Sequence, residues 1–104
     1  MKKLIPLFLI LAQSTFAAET WVSGKITNIT SITEGLLIKL EEGNLPTVCN
    51  GHAAFGWFLI PQERKTIIAL TLIHWSQGNR QVDVYVDPNQ STNNYCTVQQ
   101  IHPL

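Results

Sequence analysis

Three histidines, two cysteines, an adjacent pair of glutamates and a group of large aromatics are the side chains of this 104-residue chain best suited to chemistry. His52, His74 and His102 do not stand at i, i+4 spacing with another ligand, and the chain carries no H-E-x-x-H. That pattern predicts no metal centre, since zinc and related ions need several ligands at set spacing. Glu41 and Glu42 are adjacent. On a strand, neighbours point to opposite faces, so the pair reads as a solvated strand end rather than as an acid/base couple. No G-x-S-x-G and no phosphate-cradling glycine loop occurs. The chemistry expected is therefore not catalytic: no catalytic residue, no metal and no cofactor.

Binding is better served. Trp21, Trp57, Trp75, Tyr85 and Tyr95 are many large aromatics for so short a chain. Trp57 and Trp75 fit core positions. Tyr85 falls on the polar side of an alternating segment and should be partly exposed. Trp21, Tyr85 and Tyr95, with Asn93 and Asn94 from the polar stretch "DPNQSTNNY", form the candidate binding set. Flat rings among amides and hydroxyls suit a sugar: the ring takes its apolar face and the polar groups take its hydroxyls.

The elements that must position these residues begin after a leader. "MKKLIPLFLILAQSTFA" has a charged start, a short apolar run and a small-residue end, the layout of a signal peptide over residues 1–17. The apolar run is shorter than the roughly 20 residues needed to span a bilayer. Residues 18–104 then make one domain, secreted or periplasmic, without a transmembrane segment. Beyond the leader, five Lys and Arg (Lys25, Lys39, Arg64, Lys65, Arg80) face seven Asp and Glu. With no basic patch for phosphates, a nucleic-acid partner is not expected. Cys49 and Cys96 are neither a C-x-x-C nor a zinc pattern, and in an exported chain an even count is read as a disulfide. Asn28-Ile29-Thr30 matches a glycosylation sequon, read here as coincidence because the leader looks bacterial.

"WVSGKITNIT" alternates with frequent β-branched residues and predicts a first strand; residues 36–43 predict a second. "TVCNGHAAFGWFLI" reads as a third strand interrupted near Asn50-Gly51. Pro61 opens a run free of glycine and further proline, with Glu63 near its start and Gly78 just past its end, which predicts a helix over 61–77. Its β-branched residues would also suit a strand, but length and end signals favour the helix. "RQVDVYVD" alternates Val82, Val84 and Val86 against Asp83, Tyr85 and Asp87 as a fourth strand, and "YCTVQQIHP" ends the chain as a fifth. The order β-β-β-α-β-β is mainly β with one helix and is that of a small five-stranded OB-fold-like barrel. The helix's apolar residues fall on nearly every side. Ile67, Ile68, Leu70, Leu72 and His74 are accordingly the expected self-association surface of a homo-oligomer, because a helix capping a barrel should wet one face.

The leader, "TWVSG", a central cysteine, a Trp before the helix, the run into "HWSQGNRQVDVYV" and the cysteine of "YCTV" together resemble the B subunits of subtilase-type and pertussis-like bacterial toxins. The chain also resembles small uncharacterised exported proteins of Gram-negative bacteria. The resemblance implies a secreted OB-fold protein, a ring such as a pentamer, and partners that include a cell-surface glycan and an enzymatic toxin subunit. No family binding site aligns residue by residue. The alternative, from a different class, is a monomeric periplasmic or envelope protein with a structural or partner-binding role and no ligand site.

Overall fold

The computed structural model describes residues 19–52, 54–90 and 95–104. The leader expected over 1–17, and Asn93 and Asn94, lie outside the described residues.

Five strands, β1 (Trp21–Ile32), β2 (Gly35–Leu40), β3 (Trp57–Pro61), β4 (Gln81–Val86) and β5 (Cys96–Pro103), and one helix, α1 (Lys65–Ser76), build the domain. The strands close in the order β1-β2-β3-β5-β4, and β4 returns to β1. With the helix between β3 and β4, this is the OB-fold arrangement. β1 is long because it serves both halves of the wall: 21–25 pair with β4, and 26–32 pair with β2. A bulge between Ile26 and Asn28 separates the two halves, and such bulges let one strand bend round a small barrel.

The alternation of β4 becomes the inner wall. Val82, Val84 and Val86 are buried with Ile26, Ile38, Phe58 and Val98, each worth about 1.5–3 kcal/mol over its exposed state. β2 is buried on both faces, because Leu37 is as enclosed as Leu36 and Ile38. Gly35, opposite Pro61, has room for nothing larger: a Cβ there would lie 2.1 Å from the Ile60 carbonyl oxygen.

Two boundaries differ from the sequence reading. The helix starts at Lys65, not 61, because Pro61 is the last residue of β3 and its carbonyl accepts the Arg64 N–H to close a turn. The helix ends as expected, with Gly78 left-handed at φ 85° and its N–H on the Trp75 carbonyl. The third strand is confined to 57–61. Thr47–Cys49 and Ala54–Gly56 are 3-10 turns, since Pro46 and left-handed Gly51, Phe55 and Gly56 interrupt any extended run. Likewise β2 stops at Leu40, and Glu41–Gly43 is a 3-10 turn.

Cys49 and Cys96 form the disulfide, with Cα atoms 5.3 Å apart. Cys49 therefore sits in a turn rather than on a strand. Its partner belongs to the weakest seam: β3 and β5 pair in parallel through only Phe58–Cys96 and Leu59–Thr97. The bond spans 47 residues, and closing a loop of that length contributes about 4 kcal/mol in the chain-entropy model.

Candidate functional site

Trp21 and Tyr85 are directly opposite in the β1–β4 ladder, on the outer face behind the valine wall. Their rings stack with centroids 5.9 Å apart and planes inclined by 23°. Tyr85 is half-buried, while Trp21 remains 49% exposed. Of the sequence-proposed binding residues, the structure brings these two together. Tyr95 is half-buried next to the disulfide and outside the stack.

The other two tryptophans are committed elsewhere. The Arg80 guanidinium lies 3.6 Å over the Trp75 ring, and the Lys39 ammonium lies 5.5 Å from the Trp57 centroid. Both indoles are half-buried, so Trp21 is the tryptophan offered to solvent.

Polar rows continue from the stack across the outer face. Tyr85 pairs with Gln100; the next row outward is Ser23, Asp83 and His102. These three are the residue types of a nucleophilic triad, in the wrong order. Asp83 is central, with His102 Nδ1 4.0 Å from its carboxylate. Ser23 and His102 lie two strand spacings apart, about 9–10 Å, so the imidazole cannot take the serine's proton as triad geometry requires. The row supplies hydroxyl, carboxylate and imidazole groups for hydrogen bonding.

On its other side Ser23 borders a hollow of about 370 Å³ lined with Glu41, Glu42 and Asn44. Ser23 follows Trp21 on the same face, about 7 Å along the strand. The sequence reading placed Glu41 and Glu42 on opposite faces of a strand; the 3-10 turn instead turns both toward the one hollow. Glu42 is left-handed at φ 61°, a conformation that costs a non-glycine residue about 1–3 kcal/mol. An exposed indole with hydroxyl, carboxylate and amide groups further along the same face can stack on a pyranose and meet hydroxyls of the ligand.

The helix separates the proposed self-association residues. Ile67 and Ile68 are half-buried against the core, while Leu70 and Leu72 are 40% and 44% exposed. Exposed Ala69 and Ile73 extend this outward aliphatic surface. His74 faces inward and is 6% exposed. Its Nε2 lies 2.8 Å from the Gln81 carbonyl oxygen; a carbonyl only accepts, so Nε2 carries the proton and donates. His74 thus ties the helix's last turn to the start of β4 and is not part of the outward surface. Among the described residues no helix is long and apolar enough to cross a membrane, and no group of three or more His, Cys, Asp and Glu is placed to hold a metal ion.

Sequence reasoning missed Ser23, Asp83 and Asn44, and set Glu41 and Glu42 aside as a solvated strand end. Only the period-two placement of Ser23 beside Trp21 and of Asp83 beside Tyr85 signalled a shared face. Comparison with protein-family models, with curated proteins and with solved structures returns no match for this chain.

Proposed function

We propose that this chain is an exported, non-enzymatic glycan-binding domain that self-associates as a ring, in the manner of a toxin B subunit, with a cell-surface glycan as ligand and an enzymatic subunit as partner. The observation that carries the reading is the half-exposed Trp21, backed by Tyr85, with Ser23 and Asp83 in the next cross-strand row and Glu41 and Asn44 lining the hollow that Ser23 borders. Glycan recognition joins a stacking surface to a few fixed polar groups, and this strip supplies both on rigid strands. The disulfide supports export, because such bonds persist in oxidising compartments.

Self-association is supported by the exposed Leu70, Leu72 and Ile73. Aliphatic side chains in water on a helix whose other side is already packed are the mark of a further contact. A glycan array probed with the purified protein tests the ligand, and native mass spectrometry tests the ring. Binding to no glycan at high protein concentration removes the first claim, and a clean monomer removes the second.

A further inference from the structure

The hollow bordered by Ser23 does not end at Glu42. That residue also lines a second hollow, of about 520 Å³, together with Thr27, Asn28, Lys39 and Phe55. Three features make the second hollow more than a surface dip. The β1 bulge puts Thr27 and Asn28 both outward instead of alternating, and Thr27 Oγ donates to Asn28 Oδ1 at 2.9 Å. Phe55 is 83% exposed, the most exposed large hydrophobic among the described residues, and is held left-handed at φ 55°. Its position is enforced from behind: a Cβ on Gly56 would lie 3.1 Å from Gly43 Cα, so the 54–56 and 41–43 turns are pressed together. A bulky residue in this backbone region is uncommon, and such positions cluster at tight turns and at ligand-binding sites.

The two hollows share the Glu42 wall; Phe55 lines one, and exposed Trp21 stands about 7 Å along β1 from Ser23, which lines the other. From Trp21 to Thr27 β1 extends about 20 Å, well beyond one pyranose ring. We infer that the ligand is an oligosaccharide laid along β1, with one sugar on Trp21 and a later one on Phe55, rather than a single terminal monosaccharide. Glu42 stands between the subsites as a hydrogen-bond acceptor for both. Lys39, its ammonium 5.5 Å from the Trp57 centroid, gives the Phe55 hollow a cationic donor, whereas the hollow bordered by Ser23 offers two carboxylates with neutral hydroxyl and amide groups. This inference rests on the proposed glycan-binding role and deepens it.

The test uses protein recovered from cells expressing the full-length sequence. It is probed with immobilised mono- to hexasaccharides ending in galactose, N-acetylglucosamine, fucose or sialic acid. The best-bound glycan is then titrated beside its stepwise truncations against wild type, Phe55→Ala, Phe55→Tyr and Trp21→Ala, with thermal melts confirming equal folding. Affinity is expected to rise with chain length. Phe55→Ala should lose about tenfold on the longer ligands, roughly one aromatic contact, and nothing on the terminal monosaccharide. Phe55→Tyr should restore the loss, and Trp21→Ala should weaken every length. Affinity independent of length, or indifferent to Phe55→Ala while Trp21→Ala abolishes binding, overturns the oligosaccharide inference and leaves the Trp21 site standing. Binding to no glycan overturns the functional reading itself.

Discussion

Two of the exposed apolar surfaces among the described residues, one on the helix and one on the β1–β4 face, differ in what surrounds them. On the helix, Leu70, Leu72 and Ile73 are aliphatic and their helix neighbour Ala69 is exposed and apolar too. On the β1–β4 face, Trp21 is aromatic, and the next cross-strand row on its face holds the Ser23 hydroxyl and the Asp83 carboxylate. Aliphatic surface gains most by meeting more of its kind, because its driving force is area removed from water. An aromatic ring with hydrogen-bonding neighbours can instead stack on a ligand that is apolar on one face and polar at its rim. The first surface fits a second copy of the chain, the second a sugar, and the two lie on separate elements.

That separation can be broken or sharpened by perturbation. The largest effect should come from reducing the disulfide or replacing Cys49 and Cys96 with alanine, which costs about 4 kcal/mol of stability and so removes both surfaces at once. Denaturant melts with and without reductant measure it. Next, Leu70→Asp with Ile73→Asp should convert the proposed ring to monomer in native mass spectrometry. Binding to a dense glycan surface should then weaken about 100-fold through lost multivalency, while affinity for a free glycan stays unchanged. Trp21→Ala should do the reverse: about 30-fold weaker binding of free glycan, as for a central aromatic anchor, with the oligomer intact. The smallest effect is expected at His74→Ala, which removes the bond to the Gln81 carbonyl and costs about 1–2 kcal/mol in a denaturant melt, with free-glycan affinity unchanged.

Much of the fold was legible because it rests on short periods. Val82, Val84 and Val86 declare β4 by alternation, and Gly78 declares the helix end. The segment before β3 was misread because Thr47 and Val48 favour a strand locally, whereas Pro46 and the left-handed Phe55 and Gly56 dictate turns. Pro61 suited a helix's first position by composition alone; its pairing with Gly35, a contact distant in sequence, makes it the end of a strand. The candidate site was half legible. Trp21 and Tyr85 could be nominated as aromatics, but their stacking depends on β1–β4 register. The hollow of Ser23, Glu41, Glu42 and Asn44 depends on a turn that sequence reading took for strand. His74 was assigned to the helix surface because an apolar helix gives no periodic clue to which side faces inward.

The three tryptophans allow the most direct test of the central claim, since each indole N–H gives its own signal in a nitrogen–proton NMR spectrum. During titration with the glycan best bound on the array, the Trp21 signal should shift progressively. Trp57, beneath Lys39, and Trp75, beneath Arg80, should shift far less. A glycan that binds while the Trp21 signal stays still would contradict the account.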